Sequence, residues 1–201
     1  MNNITLTRKL ALTGAFSALV IVLGITRLGF IPIGAASVTI LHVPVILICT
    51  LAGLGGGIFV GAVFGILSLV MAAMSPSSVL DPFFVNPLCS VLPRVLFAFA
   101  AWGLWTLLAK LLRLKKPVAA GITGFITTIV HTLLVIGCIY VFKGADVRAA
   151  MGGLGYFALI GVVLPNAIFE AIAAAVICVA VYAGLFIAGN RKSKLSAESQ
   201  D

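Results

Sequence analysis

The chain has 201 residues, of which 62% are hydrophobic and 9% charged, and it carries a formal net charge of +8 at pH 7. With a mean hydropathy of +1.27, it cannot be a soluble globular domain, in which about 25% of residues are charged. Its composition requires a bilayer as solvent.

A helix crossing a hydrocarbon core of about 30 Å needs about 20 mostly apolar residues, and six stretches are candidates. The first runs from about Leu10 to Gly24 and ends near Arg27 and the Gly-Phe-Ile-Pro-Ile-Gly stretch from Gly29 to Gly34. The second, short, spans about Ser37 to Ala52; Gly53 to Gly57 allow only a tight reversal before the third, about Ile58 to Met74. Ser75 to Pro93 hold four prolines, two serines in tandem, Asp81 and Asn86, which predicts an ordered loop running into the fourth span. That span ends near Leu112, and the fifth covers about Val118 to Phe142. A polar loop follows, with Lys143, Asp146, Arg148 and the Gly152-Gly153 pair. The last apolar run, Tyr156 to Ala188, is too long for one untilted span, and Pro165 supplies a natural first turn. The sixth span is therefore placed at about Pro165 to Ile187, with Tyr156 to Leu164 as a lead-in.

These elements predict an all-α polytopic fold: one six-helix membrane domain over residues 1–190 and a short basic, polar tail at 191–201. With both termini in the cytoplasm, Arg8, Lys9, Lys110, Arg113, Lys115, Lys116, Arg191, Lys192 and Lys194 lie inside. Only Arg27, Lys143 and Arg148 lie in external loops. This Lys/Arg asymmetry is the one that orients membrane proteins. The basic residues sit at span ends without an interleaved aromatic surface, so they speak for inner-leaflet anchoring and against nucleic acid. The first span follows Arg8 and Lys9 as a signal peptide would, yet no small-x-small cleavage site follows Gly24, so it is read as a span. Cys49, Cys89, Cys138 and Cys178 stand singly in apolar segments, as small buried hydrophobes and not as a metal or disulfide set.

Four ionisable residues, His42, Arg94, His131 and Glu170, fall inside apolar spans, where charge is costly and usually functional. Counted from the span ends at the helical rise, His42 and Glu170 lie ~8 Å, Arg94 ~10 Å and His131 ~16 Å below the outer boundary. Asn166 precedes Glu170 by four residues and Ser90 precedes Arg94 by four, which puts each pair on one helix face. Asn86 sits at the mouth of the fourth span. A polar cluster in the outer half, roofed by Gly/Pro-rich loops, describes a small-ligand site. The structural alternative is an Arg94–Glu170 ion pair, with each histidine bonded to a backbone carbonyl. Arginine's planar fork matches a carboxylate, so the favoured ligand is a small anion with hydroxyl or amide groups.

In the inner half, Ala11, Gly14, Ala15 and Ala18 form overlapping small-x-x-x-small pairs that admit another helix. Gly57, Gly61 and Gly65 repeat the spacing on the third span, while Trp102 and Trp105 read as interface or packing groups. The chain has no phosphate loop, no H-E-x-x-H and no G-x-S-x-G. It also lacks the paired broken helices of self-sufficient transporters. A binding site without an energy source implies a partner.

Three stretches resemble the substrate-binding S component of energy-coupling factor (ECF) vitamin transporters. They are Arg8-Lys9-Leu10-Ala11 through Ala18; Thr39-Ile40-Leu41-His42-Val43-Pro44-Val45-Ile46 with the Gly-rich third span to Ser68; and Asn86-Pro87-Leu88 with Ser90-Val91-Leu92-Pro93-Arg94. Within that family the chain looks most like the pantothenate and pyridoxine-type members. The resemblance implies a non-enzymatic, multi-pass subunit of a bacterial plasma membrane that binds one water-soluble vitamin from outside. Its implied partners are a transmembrane coupling subunit, met through Ala11 and Ala15 or the Gly14/Ala18 register, and two cytosolic ATPases. ATP is used there and no cofactor is held by this chain; toppling of the subunit delivers the ligand. Pantothenate, with its carboxylate, suits Arg94 better than pyridoxine. The readings from other classes are a stand-alone proton-coupled carrier and an intramembrane enzyme using His131 and Glu170 as acid and base.

Overall fold

The computed structural model describes residues 5–33, 36–76, 78–153 and 155–198. Gly34 at the end of the Gly29–Gly34 stretch, Ser77 of the serine pair and residues 199–201 of the tail lie outside the described residues. The chain folds as helices α1 (Leu6–Ile25), α2 (Val43–Leu51), α3 (Leu54–Met74), α4 (Pro87–Trp105), α5 (Lys116–Ala150) and α6 (Tyr156–Glu198). Between α1 and α2 lies an antiparallel hairpin of β1 (Phe30–Ile33) and β2 (Ala36–Thr39), paired from Phe30 opposite Thr39 to Ile33 opposite Ala36. A 3-10 turn, Asp81–Val85, leads into α4, which runs on through a π turn at Thr106–Leu111.

Among the described residues five helical stretches are long and apolar enough to cross a membrane: Leu6–Ile25, Leu54–Met74, Pro87–Leu111, Lys116–Ala150 and Tyr156–Ala188. They carry large apolar side chains on their outer faces, such as Val22, Phe59, Ile66, Val141, Phe169 and Val176. A surface of this kind needs lipid around it. The chain is thus a multi-pass membrane protein.

The second expected span is where the structure departs most from the sequence reading. Its first residues pair in the hairpin, and the helix that remains, at about 1.5 Å per residue, is only ~14 Å long. Val43, Val45, Ile46, Leu47, Ile48 and Cys49 are all buried, so α2 is apolar on every side because it lies within the bundle and not against lipid. Gly53, at φ 94, makes the turn into α3, a left-handed conformation that glycine adopts without steric cost. The expected Pro165 start is also corrected: α6 begins at Tyr156 and passes through Pro165. The expected polar loop after Phe142 is helical up to Ala150 beyond a break at Lys143 (φ −137), with Val147 buried.

The helices close through glycine. A Cβ at Gly61 would sit 2.7 Å from the Arg94 carbonyl oxygen and one at Gly65 would sit 2.6 Å from Val91 Cα. The third-span glycine row therefore lets α3 lie directly on α4. Gly124 does the same for α5 on α6, where a Cβ would meet the Ala174 carbonyl oxygen at 2.9 Å. Two apolar cores result. One gathers around α2, Val60, Phe64 and Phe97, and the other around Phe83, Cys89, Ile136, Ile139, Val147 and Leu159.

Candidate functional site

A cavity of about 510 Å³ lies between the two cores and is lined by Arg94, His131 and Glu170 together. Its volume falls within the ~300–1,000 Å³ usual for small-molecule sites. Phe64, Ile136, Ile139 and Leu159 form its apolar wall, while Arg27, Ser75, Ser78 and Asp81 stand toward the end at which α1 and α3 finish and α4 begins. The opposite end holds the helix termini that carry Arg8, Lys9, Lys110, Arg113, Lys115 and Lys116.

Arg94 is placed by its neighbour in sequence. Pro93 has no N–H, so within α4 the Cys89 carbonyl four residues earlier loses its helical donor. Arg94 Nη1 donates to that carbonyl at 3.1 Å. The guanidinium lies against two rings, 4.7 Å from the Phe84 centroid and 5.3 Å from that of Phe64, a favourable place for a delocalised cation. Arg94 is only 5% exposed, and its Nε has no hydrogen-bond partner. Among the described residues the one salt bridge is Lys143–Asp146, so the alternative Arg94–Glu170 ion pair is not formed. The cavity wall thus holds a buried cation without a carboxylate in contact.

Glu170, also buried, has a different tie. Its Oε1 accepts the Thr39 N–H at 2.6 Å, which fastens the end of the hairpin to α6. Thr39 also lines the cavity, as does Thr132, one residue after His131. His131 packs against Phe97 and Phe64, with ring centroids 4.8 and 5.9 Å away, and its buried Nε2 has no partner.

The other four expected residues stand outside the lining. His42 is fully buried behind His131, with stacked rings 5.7 Å apart. Thr128 Oγ1 lies 2.7 Å from the Gly124 carbonyl oxygen and 3.0 Å from His42 Nε2. A hydroxyl has one proton; with Gly124 accepting it, His42 Nε2 is the donor to Thr128. Ser90 donates to the Gly65 carbonyl oxygen at 2.7 Å and pins α4 to α3. Asn86 caps α4 by accepting the Leu88 N–H at 2.9 Å, the usual work of an asparagine before a proline-started helix. Asn166 is half-buried on α6, away from the cavity.

Sequence reasoning missed Arg27, Thr39, Ser68, Ser75, Ser78, Asp81 and Thr132 on the lining. Thr132 was within reach of helical spacing beside His131. Ser68 also lies on a regular helical face, one turn from Phe64 and from Ala72 on α3, whereas Arg27, Thr39, Ser75, Ser78 and Asp81 reach the cavity through loop paths and element ends that periodicity does not encode. On α1, Ala11, Gly14, Ala15 and Ala18 are all exposed, and a Cβ on Gly14 would meet nothing within 4 Å.

Residues 8–182 match the family model described as ECF transporter, substrate-specific component. A pantothenate transporter, PanT, of Leuconostoc mesenteroides is 30% identical over 195 aligned positions, covering 87% of this chain and 90% of that protein. A pantothenic acid transporter, PanT, of Lactococcus lactis subsp. cremoris is 27% identical over 167 positions, covering 76% and 79% respectively.

Proposed function

We propose, from the premise that this chain belongs to the substrate-specific component family of ECF transporters, that it captures pantothenate in the cavity around Arg94. Membership makes it a vitamin-binding transporter subunit and not an enzyme. The observation that carries the choice of ligand is the buried Arg94 guanidinium on the cavity wall with no carboxylate in contact. A buried charge calls for a partner, and the carboxylate of pantothenate supplies one that matches the guanidinium fork. Its amide and two hydroxyls find polar counterparts in His131, Thr132 and Glu170. The names of the two relatives support the same ligand. Pyridoxine, the next candidate, is neutral and leaves Arg94 unanswered. Asn86, Ser90 and His42 serve this site by fixing or backing the elements that line it.

In the same reading both termini are cytoplasmic in a bacterial plasma membrane and the cavity opens outward, as the basic helix ends opposite it support. The exposed small face of α1 docks a transmembrane coupling subunit, two cytosolic ATPases spend the ATP, and toppling carries the ligand inward.

Calorimetric titration of the purified chain in lipid nanodiscs tests the ligand. Pantothenate should bind at one per chain without ATP. Its analogue with an alcohol in place of the carboxylate should bind roughly ten- to a hundredfold more weakly, the range for a hydrogen bond to a charged group. Equal binding of the two would remove Arg94 from the recognition.

A further inference from the structure

Arg27 follows α1 at φ 57, in the left-handed region that a helix end ordinarily gives to glycine. The turn around it is held by backbone bonds, Arg27 N–H to the Gly24 carbonyl at 3.2 Å and Gly29 N–H to the Leu23 carbonyl at 3.1 Å. Glycine would make this turn with less steric conflict, so what the arginine adds is its side chain. That side chain crosses to the end of α3, where Nη2 donates to the Ser75 carbonyl oxygen at 3.1 Å and to Ser75 Oγ. Ser75 is itself held, its N–H bonded to the Met71 carbonyl at 2.9 Å. Arg27 and Ser75 both line the cavity, and both are exposed, so their contact spans its boundary with solvent.

The segment that starts at this contact ends at a second one. The hairpin leaves the Arg27 turn and finishes at Thr39, whose N–H is held by Glu170 on α6. Its two ends are thus fastened to different walls of one cavity, by Arg27 to α3 and by Glu170 to α6. The two fastenings differ in kind. The Glu170 bond is part-buried and made by a buried carboxylate, whereas the Arg27 bonds go to neutral oxygens at an exposed site, where water competes for them and they break and remake readily.

We propose that Arg27 is a positioning residue that clasps the α1–β1 turn to Ser75 across the cavity mouth and thereby sets how long a bound ligand stays. The clasp rests on the reading of this cavity as the pantothenate site. It predicts an effect on departure and not on capture, because the open form needs no Arg27 bond to admit a ligand.

Stopped-flow or rapid-filtration kinetics with labelled pantothenate on the full chain in nanodiscs test this with Arg27→Ala, Ser75→Ala and the double variant. Arg27→Ala should raise koff about tenfold, the size of a lost hydrogen bond to a charged group, and leave kon within about twofold at any salt concentration. Ser75→Ala keeps its carbonyl acceptor and should raise koff less, and the double variant should match Arg27→Ala. A salt-dependent fall in kon with koff unchanged would make Arg27 a steering charge and overturn the clasp. So would single effects that multiply in the double variant, because two residues acting through one contact cannot be lost twice. If the unaltered chain fails to bind pantothenate, the functional reading fails and the clasp is decided by hydrogen exchange instead. There Arg27→Ala should speed exchange of the amides at position 27, Gly29 and Ser75 about tenfold, and unchanged protection at all three would overturn it.

Discussion

Pro93 and Arg94 act as a unit: the proline frees the Cys89 carbonyl and the arginine takes it up, which turns the guanidinium along the cavity wall. Pro93→Ala restores the helical donor, and it should leave the fold intact while weakening pantothenate binding severalfold, as measured by titration calorimetry. Arg94→Lys keeps the charge but loses the planar fork and the ring contacts, so affinity should fall roughly ten- to a hundredfold. Glu170 offers a contrast between its neutral isostere and its removal. Glu170→Gln keeps an oxygen for the Thr39 N–H, while Glu170→Ala strands that donor at a cost of about 1–3 kcal/mol. The alanine variant should therefore show the lower melting temperature in detergent. That Arg94, His131 and Glu170 would meet was legible from depth along the spans. That His42 would stand behind His131 and outside the lining was not, because depth along a span does not say which side chains of other helices surround a residue. Thr128 and Gly124 fix His42 from α5, and no feature near His42 in the sequence announces them.

At the scale of elements, the long apolar runs gave away α1, α3, α4, α5 and α6, since lipid-facing helices must be continuous and hydrophobic. The hairpin and α2 were hidden by the same signal. A strand pair and a short buried helix are as apolar as a span, and hydropathy reports burial without saying whether lipid or protein provides it. Pro165 misled for a related reason: bilayer helices tolerate an internal proline where neighbours absorb the lost bond. The glycine rows show how spacing alone leaves a partner undetermined. Gly57, Gly61 and Gly65 meet the protein's own α2 and α4, while Gly14 meets nothing within 4 Å. Gly61→Val should push α4 away from α3 and destabilise the chain by about 1–3 kcal/mol. Gly14→Ala should be neutral or stabilising by up to about 1 kcal/mol, since it only improves helix propensity. Thermal melts of the two variants in one detergent separate these outcomes.

For the molecule as a whole, the proposed reading joins a cavity at one end to an exposed small-residue face on α1, in a subunit that would bind alone and transport in company. Ala15→Trp should leave pantothenate affinity unchanged and abolish co-purification with a coupling subunit, because a large side chain blocks close helix approach. Liposomes holding the chain alone should take up no pantothenate, and uptake there would favour a stand-alone carrier. Selection of a carboxylate-bearing vitamin through Arg94 is checked by mass spectrometry of the ligand carried through purification from pantothenate-supplied cells. Pantothenate should be present at about one per chain and be lost in Arg94→Ala protein that remains folded. A neutral vitamin at the same stoichiometry, retained in that variant, would contradict it.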